Sequence, residues 1–413
     1  MGKTKDILKT PLLRSARFTN AWLTAKLEDI CDQKISYGIV QAGPNYPGGM
    51  PYIKSTDLNS RLSLEKLDQT SPDIAKKYSR SEVYPNDIVF SLRGNIAATQ
   101  IVPASIPVAN LTQGTARISV SKQFNTIFVQ QSLRATKTKR QVDRRVKGST
   151  LREISLTDLR TVEINYPELE EQAFIAESCS AADTKIQQLE KKKTLWEQYK
   201  KGCMQQIFTQ QIRFKADDGS DFPDWAQIPI GRVFEEVLEK VEQQNFPTFS
   251  ISAGVGWVSQ AEKFGRDISG SQNSKYTALK PNEFSYNKGN SKLFPYGCVY
   301  PNRTGKTIAV PNVFISFRLR RPTSSVGYFA KLFESHFLDR GLRKLISSGA
   351  RMDGLLNVNK VSFFELMIPT PSDSEQRKIA DFLASIDDKL DLIEQELTQA
   401  KAFKKGLLQQ MFV

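Results

Sequence analysis

The sequence predicts an α/β (α+β) protein: two similar domains joined by two long antiparallel coiled-coil helices, a pseudo-two-fold internal duplication. Three observations predict it. The chain repeats itself when slid by 204 positions. Each repeat ends in a long Pro-free segment with apolar residues spaced by four and three. The stretches before these segments carry short β-branched and aromatic runs punctuated by Gly, Pro and Asn, the pattern of strands and turns.

The duplication is clearest at Glu171-Gln172, which the slide carries onto Glu375-Gln376. Ile175/Ile379, Ala176/Ala380, Asp183/Asp387, Glu190/Glu394, Lys200/Lys404, Gly202/Gly406 and Phe208/Phe412 follow without a gap. Upstream the match weakens and its offset drifts, as loop insertions cause. Pro85-Asn86-Asp87 answers Pro281-Asn282-Glu283, Lys147-Gly148-Ser149 answers Ser348-Gly349-Ala350, and Trp22 answers Trp225. The two domains keep a common skeleton and differ in their middles.

In the first long segment Ile175, Cys179, Ala182, Ile186, Leu189, Lys193, Trp196, Lys200, Cys203 and Ile207 form a heptad seam. In the second, Ile379, Leu383, Ile386, Leu390, Ile393, Leu397, Ala400, Lys404, Leu407 and Met411 occupy the same slots. Pro167 and Pro371 each precede an acidic first turn, a helix start signal. At 1.5 Å per residue each helix spans roughly 55–60 Å. One such helix alone reads as a core helix; two, each after a similar domain, favour pairing with each other. The organisation is therefore a polar leader (1–17), a first domain (18–166), a first spacer helix (167–211), a second domain (212–370) and a second spacer helix (371–413). Expected strands are 87–92, 116–120, 248–252, 283–286 and 310–319. Each domain is expected to close with a helix, over about 127–146 and about 326–347.

Catalytic material is scarce. The chain has one histidine, His336, and four scattered cysteines without a C-x-x-C pair, so His-based triads and zinc sites have little to draw on. Gly305-Lys306-Thr307 lacks the first glycine of a phosphate loop, and Gly254-Val255-Gly256 lacks the third glycine of a dinucleotide fingerprint. The absence of any Pro-Pro removes the amino-methyltransferase motif. No apolar run reaches the ~18 residues a membrane span needs, and the cysteine usage fits a reducing, cytoplasmic setting.

The charge points to a polyanion. Lys+Arg number 58 against 44 Asp+Glu, a net +14. Lys137, Lys139, Arg140, Arg144, Arg145 and Lys147 crowd one helix and its exit, with Arg134 and Arg152 flanking them. Arg340, Arg343, Lys344 and Arg351 take the equivalent place in the second domain. These are the candidates for DNA phosphates, whose contact with Lys and Arg releases counterions. Base reading needs forked donors and amides. Gln41, Asn45, Arg93, Asn95, Gln113 and Arg117 offer them in the first domain, and Gln260, Asn287, Lys288, Asn290 and Arg303 in the second. Asn and Gly in such loops also serve simply as turn formers.

With these residues in view the chain resembles the specificity (S) subunits of type I restriction–modification systems. The resemblance runs from Trp22 to Val413. It rests on Trp22 with Leu27, Gly49-Met50-Pro51-Tyr52-Ile53, Asn86-Asp87-Ile88 leading to Arg93-Gly94, Gly148-Ser149, and Pro167 through Glu171-Gln172-x-x-Ile175-Ala176, recurring as Pro371 through Glu375-Gln376-x-x-Ile379-Ala380. It implies two target-recognition domains, each reading one half of a split site in double-stranded DNA, and helices that set the spacing and dock two modification (methyltransferase) subunits. It implies no catalytic residue and no cofactor bound by this chain. S-adenosylmethionine, ATP and Mg2+ would belong to the modification and restriction (translocase/endonuclease) subunits. Lys193 and Lys200 in the first seam depart from a regular coiled coil. The competing reading is a stand-alone sequence-specific DNA-binding regulator or scaffold, which would bind DNA tightly without modification subunits.

Overall fold

The computed structural model describes residues 10–244, 246–260, 274–289, 291–346 and 356–413. The chain divides into two units, Met1–Lys191 with Gln395–Val413, and Lys192–Glu394. Each unit therefore holds one domain and a portion of both long helices.

In the first unit a four-stranded antiparallel sheet runs in the order Ser36–Tyr37, Thr115–Ile118, Ile88–Ser91, Thr99–Ile101. Successive side chains on a strand face opposite ways. Ile88 and Phe90 thus join Ala116, Ile118 and the helical residues Phe128, Val129 and Leu133 in the main core, while Val89 joins Ile53, Val83 and Leu111 on the other face. Both faces are covered, which is why the strand reads as a continuous apolar run. Leu23–Lys26 pairs with Glu163–Tyr166 and closes the domain beside the long helix.

The second unit repeats this order with Phe234–Glu236, Ile315–Leu319, Phe284–Asn287 and Cys298–Pro301. Its core is aromatic, with Phe234 touching Phe317 and Phe329 at ring-centroid distances of 5.1 and 4.9 Å. Ala226–Pro229 pairs with Met367–Thr370 as the equivalent closure. The middles differ. Met50–Ile53 runs parallel to Asn110–Leu111 in the first unit, whereas the second has a hairpin of Phe249–Ser252 with Gly256–Ser259 and an antiparallel pair of Thr277–Leu279 with Ile308–Val310.

The long helices span Leu169–Phe208 and Asp373–Gln410. Ile175, Leu189, Ile379, Leu383, Ile386, Ile393 and Leu397 are buried, and Ile186, Trp196 and Leu390 are half-buried. The pairing is antiparallel within each unit. In the first, Lys401 meets Glu190 at 2.9 Å and Lys404 meets Asp183. In the second, Lys193 meets Glu394 at 2.6 Å and Lys200 meets Asp387 at 2.7 Å. The seam lysines are thus each answered by an acid across the seam. Lys200–Asp387 and Lys404–Asp183 are the same pair made twice by the duplication. Burial opposes the charge of Lys200, but its bonds to Asp387 and Glu334 hold its pKa above the usual value.

Three sequence expectations change. The helix expected over 127–146 is two helices, Thr126–Arg134 and Thr136–Arg145, broken where Ala135 adopts an extended ψ of 145°. Ala135 and Val142 are both buried, so the turn brings a second apolar face onto the core. The helix expected over 326–347 is likewise broken, into Val326–Glu334 and Asp339–Leu345, around His336 at φ +63°. The strand expected over 310–319 is two strands, Ile308–Val310 and Ile315–Leu319, interrupted from Pro311, which cannot donate to a ladder.

Candidate nucleic-acid interface

The helix Thr136–Arg145 turns Thr138 and Val142 inward. Period 3.6 then sends Lys137, Lys139, Arg140 and Arg144 to solvent. None of these four has an acidic partner among the described residues. Arg145 is half-buried and donates to Gln141 O at 3.0 Å. Lys147 pairs with Asp158 at 3.1 Å; Ser155 and then Lys147 hold that carboxyl below its usual pKa. Arg134 leaves the patch. It points inward to Thr99 Oγ1 at 3.0 Å, and burial lowers its pKa. In the second unit Leu342 turns inward and Arg340, Arg343 and Lys344 are exposed. Arg351 lies outside the described residues.

Replacing Lys139, Arg140 and Arg144 together by Ala is expected to weaken binding to every DNA sequence and to reduce the slope of log affinity against log salt by about 3, one per phosphate contact. Titrations of specific and random duplexes at several salt concentrations check this. An altered base preference at unchanged affinity would show that the helix reads bases.

The base-reading candidates fall into different settings. Gln41 and Asn45 are exposed, and Asn45 Oδ1 accepts from Gln69 N at 2.8 Å. Arg93 is exposed and paired with Glu153. Asn95 is consumed by its turn: Nδ2 donates to Ser55 O and Asn59 Oδ1, and Oδ1 accepts from Ser91 Oγ. Gln113 is half-buried. Arg117 is 7% exposed in the central sheet and donates to Glu82 O at 2.7 Å. Gln260 is buried. Asn287 bonds Ile251 O and Gly289 N, Lys288 bonds Val358 O, and exposed Arg303 bonds Asn282 Oδ1 at 3.0 Å. Asn290 lies outside the described residues. Of the first-domain set, only Gln41, Asn45 and Arg93 are exposed.

The Glu-Gln motif explains how each domain is fixed to its helix. Glu171 Oε1 accepts from Arg14 Nε at 2.8 Å and Trp22 Nε1 at 3.3 Å, while its Oε2 takes Arg14 Nη2 at 2.6 Å. Glu375 does the same with Arg213 Nε at 3.2 Å, Arg213 Nη2 at 2.9 Å and Trp225 Nε1 at 2.9 Å. Gln172 accepts from Asn125 N at 3.0 Å and Gln376 from Ser325 N at 2.9 Å. Asn125 and Ser325 cap the helices at Thr126 and Val326, so each glutamine ties a long helix to a cap within its domain. Arg14 falls in the stretch expected to be a polar leader; Leu13 N also bonds Gln410 O at 2.9 Å, so this part of it is anchored. The pairing Leu13-Arg14 with Ile212-Arg213 was the available signal.

Two similar domains, each clamped to a long helix by the same Arg, Trp, Glu and Gln and each carrying a cationic helix, define a tandem module whose middles differ. A model of the type I restriction modification DNA specificity domain matches residues 20–196 and 267–402. The type I restriction enzyme EcoBI specificity subunit of Escherichia coli is 29% identical over 155 residues, 37% of this chain and 32% of that protein. The putative type I restriction enzyme MjaX specificity subunit of Methanocaldococcus jannaschii is 23% identical over 285 residues, 62% of this chain and 59% of that protein. The matched stretch thus spans less than two thirds of either relative. The crystal structure of a type I restriction-modification system S subunit from M. genitalium superposes with a TM-score of 0.57 at 15% identity, covering 98% of this chain and 99% of that one. The chain belongs to the type I restriction–modification DNA specificity family. Among the described residues, no helix is long and apolar enough to cross a membrane.

Proposed function

We propose that this chain is the DNA sequence-recognition subunit of a type I restriction–modification complex. Each domain reads one half of a bipartite, asymmetric site, and the helices set the spacer and dock modification subunits. The observation that carries this reading is the retention of one clamp and one sheet order in both units while the middles differ, within a family defined by DNA specificity. Identical readers would serve a symmetric site; unequal readers serve an asymmetric one. Methyl transfer with S-adenosylmethionine, and ATP- and Mg2+-dependent work, are assigned to the modification and restriction subunits.

The duplication also supports two docking sites. Phe403 and Tyr199 are equivalent under the 204-residue slide and are 63% and 51% exposed on their helices. Exposed aromatic side chains at matching places suit two copies of one partner. Mapping methylated adenines in DNA from cells carrying this chain and its modification subunit tests the assignment. Two adenine-containing half-sites with a fixed gap are expected; a palindromic or absent pattern would overturn it.

The spacer role has its own test. Inserting four residues after Leu189 lengthens the helix by about 6 Å. With DNA rising about 3.4 Å per base pair, the gap is expected to grow by one or two base pairs with both half-sites unchanged. The insertion also shifts the seam, so folding is followed by circular dichroism alongside. A folded, active complex that keeps the original gap would remove the helices from that role.

A further inference from the structure

We propose that Leu151 is an apolar wedge that enters the base stack at the half-site read by the first domain. The proposal rests on the DNA-reading assignment above and extends it to how the site is deformed.

The loop carrying Leu151 is rigid at its base and bare at its tip. Lys147 and Glu153 exchange backbone hydrogen bonds of 2.9 and 3.0 Å, closing residues 148–152 into a tight loop. Ile154 is buried and its N–H bonds Leu92 O at 3.1 Å, and Arg93 pairs with the Glu153 side chain, so the base is fixed to the central sheet. Gly148 sits at φ +92°, and a Cβ there would lie 2.3 Å from Leu151 O. Only glycine fits so close a return of the chain. At the tip Leu151 is 87% exposed, and Ser149, Thr150 and Arg152 are exposed around it.

Single exposed leucines are common and need no explanation. This one is set apart by its mount and its surroundings. Arg93, Arg152 and Leu151 line one concavity, and Arg152 with Lys139 lines the next. A protein partner for an apolar tip would want further apolar surface beside it, yet the neighbours are polar: Ser149 and Thr150, the cations Arg93, Arg152 and Lys139, and the acids Asp143 and Glu153, the latter taken up by its ion pair with Arg93. A ligand that is apolar at one point and anionic around it matches the arrangement. A base step flanked by phosphates is such a ligand, and Leu is among the side chains that unstack steps in this way. The sequence places Met352 at the equivalent slot of the second domain, after Gly349-Ala350-Arg351; these residues lie outside those described.

The test uses the full chain assembled with its modification subunits and duplexes carrying 2-aminopurine at successive positions of the first half-site, away from the methylated adenines. The wild type is expected to raise fluorescence at one step. Leu151→Ala is expected to abolish that rise and weaken binding about tenfold, the order of one unstacking cost. Leu151→Met should restore both. A duplex with an abasic gap at that step, already unstacked, should bind Leu151→Ala as tightly as it binds the wild type. If the complex binds its site but Leu151→Ala binds intact DNA like the wild type, or no step away from the adenines brightens, the wedge is wrong and DNA reading stands. If a modification subunit dissociates from the variant, Leu151 is a protein contact and the wedge is equally wrong. If the wild-type assembly binds no DNA, both readings fall.

Discussion

Exchanging residues 30–150 for the matching stretch of a relative is expected to replace one half of the methylated sequence and leave the other half and the gap as they were. The stretch contains the central sheet and the cationic helix of the first domain but leaves Arg14, Trp22, Glu171 and Gln172 in place. The graft is therefore received by an intact clamp. The cap at Asn125 travels with the graft, so a relative with Asn, Ser or Asp there is the sound donor. Sequencing of modified DNA reads the result. A change in both halves would mean that the two domains do not read independently.

Removing the carboxylate of the clamp is expected to have the largest effect on stability. Glu375 has a fully buried side chain, and both oxygens are engaged by Arg213 and Trp225. Glu375→Ala leaves the buried Trp225 indole N–H without its acceptor and takes the carboxylate from Arg213, which is a quarter exposed and keeps Phe222 O, Pro223 O and Asp224. Losing hydrogen bonds of this kind, one of them from a buried donor, costs about 2–3 kcal/mol. The midpoint of urea unfolding, followed by tryptophan fluorescence, should fall accordingly, and Glu171→Ala should lose a comparable amount through Arg14 and Trp22. Changing the exposed Glu394, whose ion pair with Lys193 lies at the surface, should cost under about 1 kcal/mol. Equal losses for Glu375 and Glu394 would show that the clamp does not anchor the domain.

The local pattern was sufficient for much of this protein. The heptad spacing from Ile175 and from Ile379 placed both long helices, because a helix of that length is specified by its own periodicity. The recurrence of Glu-Gln marked the junction of domain and helix before its partners were known. The two exposed cationic helices were also legible, since charge of one sign needs no partner in the chain to be seen.

What sequence could not decide was set by groups distant along the chain. Whether Arg134 faces solvent depends on Thr99, and whether Arg117 is free depends on Glu82 and the strands beside it. The helix breaks at Ala135 and His336 violate no local propensity strong enough to foretell them; they follow from the need to fold Val142 and Leu342 back onto cores built by other segments. The seam lysines looked like defects until Asp183, Asp387 and Glu394 were brought opposite them. Period and repetition are properties of neighbours in sequence, and the chain carries them openly. Burial and ion pairing depend on which distant residues arrive in space, so only the tertiary structure decided which polar side chains are structural and which remain exposed.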